Sequence, residues 1–263
     1  MLRITRSKNG KPAVPPMLAI ILLSLAHAAN AAEVLEVRAT AGPEAALEQY
    51  MAGGGQAPWA TESIEIHAAL PKLEKTGRLL AVRHLAPTSE SQYEVVQLAG
   101  DPTVKEQVIV RYLQAQQRVA EMPAASVAIA PANYKFAYKR AVDDGEHQAY
   151  VFQIMPRHKR EGLIKGELWL DEHTGLPIRQ SGRLVKSPSI FIKRITITQE
   201  NTVRDGIIES HLTHITIETR LVGRAELVIE ERPLGEERPL AEEGPLALAD
   251  AEFATWNNEG SRR

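Results

Sequence analysis

The sequence predicts a mainly β fold of the α+β type, in which an antiparallel meander of strands carries one or two helices near its front. The second half of the chain consists of short segments that alternate apolar and polar residues and are separated by turn residues. Such short connections imply antiparallel pairing, because parallel strands need crossovers of a dozen or more residues. A single segment, beginning near Asp101, has strong helical periodicity. The chain of 263 residues is long enough for one such domain with a sizeable core.

The first elements are a short helix and a hairpin. Pro43 at a first-turn position predicts a helix from Pro43 to Met51, which the three glycines 53–55 end. The alternation from Ser63 to Ala69 predicts a strand that places Ile64, Ile66 and Ala68 on one face. We expect Lys75-Thr76-Gly77 to turn the chain into a return strand, Arg78 to Leu85, with a further strand from Tyr93 to Leu98.

The clearest helix opens at Asp101-Pro102-Thr103. Thr103 and Glu106 have the spacing of a capping box, in which each side chain would satisfy a backbone amide of the first turn. One side of the helix is apolar at helical spacing, and we expect that side to lie on the sheet. It consists of Val104, Val108, Tyr112, Ala115 and Val119.

The second half contains the more regular strands. In the segment Gly166 to Arg179, Leu168 and Leu170 face one side of the pleat, while Glu167, Trp169 and Asp171 face the other. Thr174-Gly175 supplies a turn, and Pro177 suits a strand start. The residues from Ile215 to Ile229 keep one alternation, which predicts either one very long strand or two strands in register around Gly223. Further strands are expected from Tyr134, from Tyr150, from Ile178 to Lys186 and from Ile192 to Glu200.

The first 31 residues have the pattern of a secretory signal peptide. Arg3, Arg6, Lys8 and Lys11 precede a short apolar run, and an A-x-A site ends at Ala31. The run is too short for an ordinary membrane span. The sequence therefore predicts cleavage before Ala32 and a soluble periplasmic protein. It contains no cysteine, which excludes a lipidated cysteine, disulfides and thiol chemistry.

The C-terminal segment carries the one internal repeat. Glu-Glu-Arg-Pro-Leu occurs at 230–234 and again at 236–240, and Glu-Glu-Gly-Pro-Leu follows at 242–246. Proline at this density disfavours helix and sheet, and the segment is too polar to form a core. We therefore predict one folded domain at residues 32–232 and an acidic, proline-rich disordered tail at 233–263.

Catalytic and metal-binding motifs are absent from the sequence. No nucleophile elbow, phosphate-binding loop, H-E-x-x-H helix or dinucleotide fingerprint occurs. His211 and His214 are three apart, which on a strand places them on opposite faces, so we predict no metal site and no cofactor. The formal net charge of −2 argues against nucleic acid as a partner. The sequence predicts that the protein is not an enzyme.

Two features indicate contacts with lipid, although each has a simpler explanation. Arg157-His158-Lys159-Arg160 falls between two predicted strands; Arg157, Lys159 and Arg160 either contact anionic headgroups or form a solvated hairpin tip. An aromatic stripe either belongs to a simple core or lines a ligand surface. One long sheet with one convincing helix has more apolar face than that helix covers, which favours an apolar ligand. The stripe comprises Tyr134, Phe136, Tyr138, Tyr150 and Phe152.

The strand patterns resemble those of the LolA/LolB-like superfamily of periplasmic lipoprotein and lipid carriers, which includes sensors of the RseB/MucB type. The resemblance covers roughly Pro43 to Glu230. It rests on Tyr150-Val-Phe-Gln-Ile-Met-Pro156, Leu168-Trp-Leu-Asp171 and Thr174-Gly175-Leu-Pro177. It implies a strongly curved antiparallel half-barrel with one or two helices covering a concave apolar cavity that takes acyl chains. By this resemblance the cavity wall comprises Leu168, Leu170, Ile195, Ile197, Ile215 and Ile217.

These observations predict a periplasmic carrier of the outer-membrane lipoprotein-sorting type that binds lipid or lipoprotein acyl chains. Its further partners would be an inner-membrane donor and an outer-membrane acceptor. Without a cysteine the chain cannot itself be a lipidated acceptor. Two alternatives stay open at this point: an RseB-like envelope-stress sensor that acts by protein contact, and a structural envelope protein with a filled core.

Overall fold

The computed structural model describes residues 42–53, 59–85, 91–143, 148–220 and 223–234. The predicted signal segment and residues 235–263 of the predicted tail lie outside these ranges. The described residues form one open antiparallel sheet of ten strands with a few helices, which confirms the predicted fold class. The strands are β1 (Thr61–Leu70), β2 (Lys75–Leu85), β3 (Ser91–Gly100), β4 (Tyr134–Asp143), β5 (Gln148–Pro156), β6 (Ile164–Asp171), β7 (Pro177–Leu184), β8 (Ile192–Arg204), β9 (Ile207–Thr219) and β10 (Arg224–Pro233).

The helices lie before β1 and between β3 and β4. They are α1 (Pro43–Met51), α2 (Pro102–Val104), α3 (Arg111–Ala120) and α4 (Ala124–Val127). A π-helical turn, Lys105–Val110, joins α2 to α3, and we call these three segments together the long helix. The predicted helix Pro43 to Met51 is confirmed, and so is the burial of the predicted apolar side of the long helix.

The sheet has the order β3-β2-β1-β10-β9-β8-β7-β6-β5-β4. Strands β4 to β10 each pair with their neighbour along the chain, which is the predicted meander. The pairing of β1 with β10 then joins the N-terminal three strands to the meander. The strands β3 and β4 form the two edges of this order.

One face of the sheet is buried under the helices, and we call it the inner face. Ile66, Leu168 and Ile215 lie on it without exposed surface. Together with helical residues such as Tyr112, they belong to a single apolar cluster. The long helix packs over β1, β2 and β3, whereas α1 packs over β6. The inner face is therefore covered from two separate places along the sheet order.

Both helical contacts need a glycine on the sheet side. A Cβ atom at Gly77 in β2 would come within 3.0 Å of Val104 Cγ1 in α2. A Cβ atom at Gly175, in the turn after β6, would come within 3.0 Å of the Ala46 carbonyl oxygen in α1, and Gly175 has φ +66°. Glycine lets the helix backbone approach closely at these positions.

Two predicted details of the first half are wrong, and one further feature was not predicted. The N-cap of the long helix is Asp101 rather than Thr103, because the Asp101 carboxylate accepts hydrogen bonds from the backbone amides of Thr103 and Val104. The turn between β1 and β2 is Pro71–Leu73 followed by Glu74 in the left-handed region, so β2 already includes Lys75-Thr76-Gly77. The long helix also contains the π-helical turn, which adds Ile109 to its buried side.

Two details of the second half are settled or corrected. The segment Ile215 to Ile229 is two strands, with Gly223 at φ +85° in the turn between them. The first copy of the C-terminal repeat, of which Pro233 and Leu234 were assigned to the tail, lies in the folded part. It ends β10: Glu231 pairs with Ile64, Pro233 pairs with Glu62, and the Leu234 amide donates to the Thr61 carbonyl oxygen at 3.0 Å.

Candidate functional site

The six residues predicted to line the cavity all lie on the inner face. Ile195 and Ile197 of β8 are directly opposite Ile217 and Ile215 of β9. Leu168 and Leu170 lie on β6, from which β8 is separated by β7. Their exposure is 0% for Leu168, Leu170, Ile215 and Ile217, 2% for Ile195 and 5% for Ile197. The structure therefore places them in one apolar cluster under the helical cover.

The predicted aromatic stripe continues the inner face to the edge strand β4. Tyr134 and Phe152 are buried, whereas Tyr138 is about half exposed (48%). The Tyr138 ring contacts the rings of Tyr150 and Phe152, with centroids 6.2 Å and 5.9 Å away. The Tyr134 hydroxyl accepts a hydrogen bond from the Ile164 amide at 3.1 Å, so this tyrosine is fixed within the sheet. The stripe is thus core at one end and surface at the other.

The turn after β6 seats α1 on the sheet. The Asp171 carboxylate accepts hydrogen bonds from the amides of His173 (3.1 Å) and Thr174 (2.7 Å) and from the Thr174 hydroxyl (2.7 Å). This closes the turn and presents Gly175 to Ala46 of α1. The pattern from which the resemblance was inferred is therefore a docking point for one of the covering helices.

The sequence analysis missed a row of polar side chains across one end of the inner face. The strand registers place its members opposite one another, or one inner-face step apart, on six neighbouring strands. We call it the polar row. In sheet order it comprises Tyr93 (β3), Arg83 (β2), Glu62 (β1), Glu231 (β10), His211 (β9) and Asn201 (β8).

Arg83 is the centre of the row and is shared by two carboxylates. Its Nη2 contacts Glu62 Oε1, and its Nη1 lies 3.5 Å from Glu231 Oε1. The side chain of Glu62 is 2% exposed, that of Arg83 12% and that of Glu231 13%. Arg83 also hydrogen-bonds with Tyr93. A guanidinium is suited to such a buried, shared position because it presents five donors in a planar fork.

The charges in this group are tuned by burial. Burial raises the pKa of Glu62 to about 8, although the neighbouring guanidinium opposes the shift. Glu62 is therefore mostly protonated at neutral pH, and Arg83 is balanced by Glu231. Two carboxylates beside one guanidinium would otherwise leave an excess negative charge in the interior, which is costly.

The long helix adds two polar side chains above the row. Burial raises the pKa of Tyr112 well above its usual range, and the charge of Glu231 contributes to the shift, so this tyrosine faces the group. Gln116 Nε2 donates to the Tyr112 hydroxyl at 2.7 Å. Gln116 is 8% exposed. Its Oε1 atom and the Arg83 Nε atom are both buried, and neither has a hydrogen-bond partner among the described residues.

At the other end of the row, His211 is held between an amide and a ring. Its Nδ1 lies 2.7 Å from Asn201 Oδ1, and its ring centroid is 4.7 Å from that of Trp59. Asn201 Nδ2 in turn donates to the Pro177 carbonyl oxygen at 2.7 Å. The neighbouring His214 lies on the opposite face, as predicted from the spacing.

A signal for the polar row was present in the sequence. Glu62 continues the alternation of Ile64 and Ile66, and Arg83 and Glu231 likewise continue the apolar alternation of β2 and β10. When a charged residue occupies one of the alternate strand positions that otherwise carry apolar residues, its side chain is expected on the buried face of the sheet. That three such charges meet could not be known before β1 was seen to pair with both β2 and β10.

The predicted membrane-contact residues lie at the opposite end of the sheet, between β5 and β6. Arg157, Lys159 and Arg160 are all exposed. Arg157 Nε donates to the Pro131 carbonyl oxygen at 2.7 Å, and Arg160 donates to Asn133 Oδ1. Two of the three bases are thus held by the turn before β4.

The loop between β7 and β8 ends at the same side of the sheet and displays an apolar residue. Ile190 is 80% exposed. Arg220 Nε donates to its carbonyl oxygen at 2.9 Å, and the Ser187 hydroxyl lies 2.9 Å from the carbonyl oxygens of Ser189 and Ile192, to which it donates, so the loop is held in shape. Lys186 and Lys193 beside it are exposed.

The described residues contain no group of three or more His, Cys, Asp or Glu side chains placed to hold a metal ion. None of the helices in the described part of the chain is long and apolar enough to cross a membrane.

Comparison with known proteins found no matching family model and no matching curated protein. Three solved structures match at low identity. A LolA superfamily protein from Nitrosomonas europaea shares 13% identity over 76% of this chain and 95% of its own, with a TM-score of 0.32. A domain assigned as an outer membrane lipoprotein-sorting protein from Vibrio parahaemolyticus shares 11% over 74% and 94%, with a TM-score of 0.33.

The third structure, MucB, shares 11% identity over 73% of this chain and 92% of its own, with a TM-score of 0.26. These are the same kinds of protein that the sequence patterns resemble.

Proposed function

We propose that this protein is a non-enzymatic periplasmic carrier that binds the acyl chains of lipids or lipoproteins against its inner face. The observation that carries the proposal is the position of the six predicted wall residues. Four of them, on β8 and β9, lie in the sheet order between the strands on which the long helix packs and the strand on which α1 packs. An apolar surface between two separate helical contacts can open when the helices part.

In this mechanism the helices move to admit acyl chains, and the apolar inner face replaces water around them. Each buried methylene contributes about 0.8 kcal/mol, so a chain of ordinary length is held by many small increments. The basic loop with Arg157, Lys159 and Arg160, together with the Ile190 loop, would face the anionic surface of the donor or acceptor membrane.

The test of this function is a glutamate placed on the inner face. We expect Leu168→Glu, Ile195→Glu and Ile217→Glu to yield folded protein without co-purified lipid, because an opened cavity keeps the new charge hydrated. If the helices never part, the same carboxylate is buried without a partner, which costs several kcal/mol and unfolds most domains. Lipid mass spectrometry and thermal melting of the purified variants measure both outcomes.

Thr196→Glu is the matched control, because Thr196 is the exposed neighbour of Ile195 on the other face of β8. It should keep both the fold and the lipid. Unfolding or insolubility of all three inner-face variants beside an intact Thr196→Glu protein would favour a structural envelope protein with a filled core.

A further inference from the structure

The polar row gives the inner face two chemically different ends. The face carries Ile195, Ile197, Ile215 and Ile217 toward one end of β8 and β9, whereas Asn201 and His211 lie further along the same strands toward the other end. Gln180, which is 6% exposed and opposite Leu168, adds an amide next to the apolar part. An amphiphile whose chains lie on the apolar part would place its head group against the polar row.

The charges of the row discriminate between head groups. Glu62 and Glu231 both lie beside Arg83, and the charge of Glu231 already neutralises the guanidinium. A phosphate group placed there would bring up to two further negative charges close to the Glu231 carboxylate. Like charges in a poorly solvated site repel strongly. The row is therefore unfavourable for the phosphate of an anionic phospholipid.

The free polar atoms fit an uncharged head group. Arg83 Nε is a buried donor and Gln116 Oε1 a buried acceptor, each without a hydrogen-bond partner among the described residues. A buried polar atom without a partner costs free energy, which a ligand with the complementary group recovers. An acylated glycerol offers ester carbonyls that accept and, when one position is free, a hydroxyl that donates.

We propose that the polar row, with Tyr112 and Gln116 of the long helix, is a head-group site that selects an uncharged acylated glyceryl group over a phosphorylated one. This inference rests on the proposed carrier function and specifies the class of lipid that the carrier takes. Gln116 and Glu231 have separate roles in it: Gln116 accepts a hydrogen bond from the head group, and Glu231 repels phosphate.

The test compares two lipids with identical chains, dioleoylglycerol and dioleoyl phosphatidic acid. The full chain, stripped of co-purified lipid, is incubated with an equimolar mixture, and the retained lipids are quantified by mass spectrometry. We expect the protein to retain at least about ten times more dioleoylglycerol than phosphatidic acid, which corresponds to a difference in binding free energy of about 1.4 kcal/mol. Equal retention would overturn the head-group site and leave the carrier function standing, whereas retention of neither lipid would contradict the carrier function itself.

Two pairs of variants assign the preference to the polar row. Gln116→Met keeps the size of the side chain and removes the acceptor, and the control Gln117→Met changes its exposed neighbour. We expect Gln116→Met to lose dioleoylglycerol retention several-fold without loss of melting temperature. A merely structural Gln116 would leave retention unchanged, since methionine suits a buried helical position.

Glu231→Gln removes one charge from the inner face, and Glu230→Gln removes one from the adjacent residue on the outer face. We expect the first alone to raise the retention of phosphatidic acid. An equal effect of both variants would contradict the role of Glu231. If Glu231→Gln does not fold, the head-group site is still tested by the comparison of the two lipids on the wild-type protein and by Gln116→Met.

A synthetic peptide with an S-diacylglyceryl cysteine presents the same two ester groups on a protein segment, with a thioether in place of the free hydroxyl, so that the cysteine N–H is the donor available to Gln116. Its retention, with the same dependence on Gln116, would identify a lipidated protein as the source of the head group. Retention of dioleoylglycerol alone would identify a free lipid.

Discussion

At the scale of single residues, the unusual feature of this protein is a carboxyl group that the strand pattern places on a buried face. Glu62 has 2% of its side chain exposed and shares Arg83 with Glu231. Replacing a buried ion pair by apolar residues is often neutral or stabilising, so such a group is weak evidence for a stabilising role. This is one reason to connect the group with binding.

The raised pKa of Glu62 predicts how stability depends on pH. The folded protein holds a proton on Glu62 up to about pH 8, whereas the unfolded chain releases it near the ordinary value of 4.5. The folded state thus binds more protons in this window, so the free energy of unfolding falls as the pH rises through it. Glutamine at position 62 has no proton to lose in this range. We therefore expect the melting temperature of Glu62→Gln to depend less on pH, and to lie about 5 °C above that of wild type at pH 9.

The measurement is the melting temperature of both proteins from pH 5 to pH 9. Arg83, Glu231, Tyr93, Tyr112 and His211 face the same region and are common to both, so the comparison isolates Glu62 to first order. Parallel profiles across the whole range would contradict the shifted pKa.

At the scale of elements, the covering helices are held by glycines in the sheet. Gly175→Ala adds a Cβ atom near the Ala46 carbonyl oxygen and forces alanine to φ +66°. Left-handed backbone and a tight contact together cost about 1–3 kcal/mol, so we expect the melting temperature to fall by several degrees.

Gly53→Ala is the control for this change. Gly53 also has a positive φ, +97°, but a Cβ atom there meets nothing within 4 Å. A smaller loss of melting temperature at Gly53 than at Gly175 is the expected result. Equal losses would show that the contact with α1 contributes nothing to stability.

The end of β10 gives a second prediction at this scale. Glu230 to Pro233 pair with β1, and Glu230 and Glu231 pair with β9 as well. A chain that ends at Leu234 should therefore melt like the full chain, whereas one that ends at Ile229 should lose several degrees, because it leaves the first residues of β1 unpaired on one side. Melting curves of the two truncated chains measure this. If the chain that ends at Leu234 melted below the full chain, residues 235–263 would be shown to contribute to the fold.

At the scale of the whole molecule, the two ends of the sheet differ. One end carries the basic loop and the exposed Ile190, and the opposite end carries the polar row. Ile207, the first residue of β9, is also exposed (53%) but lies at the end with the polar row. The chain therefore provides a matched pair of exposed isoleucines, one at each end.

We expect Ile190→Ser to weaken binding to phosphatidylglycerol vesicles about fivefold, since partial burial of one isoleucine contributes about 1 kcal/mol. Ile207→Ser should leave binding unchanged. Vesicle sedimentation measures both, with phosphatidylcholine vesicles as the control for charge. Equal weakening by the two variants, or equal binding to both kinds of vesicle, would contradict a membrane contact at the Ile190 end.

Local patterns in the sequence were sufficient for the strands, for α1 and for the burial of Leu168, Leu170, Ile195, Ile197, Ile215 and Ile217, because alternation and helical spacing are properties of neighbouring residues. The cap of the long helix and the turn before β2 were misplaced because two candidate residues lay within three positions of each other, and backbone geometry selected between them.

The tertiary structure alone decided which residues meet across the chain. The pairing of β1 with β10 joins residues about 170 positions apart, and it brings Glu62, Arg83 and Glu231 together. No local pattern encodes that pairing, because it depends on how the whole meander curves back to the N-terminal hairpin. The sequence by itself thus determined the strands, the buried face and the absence of catalytic motifs, and the long-range register determined that the buried face has a polar end.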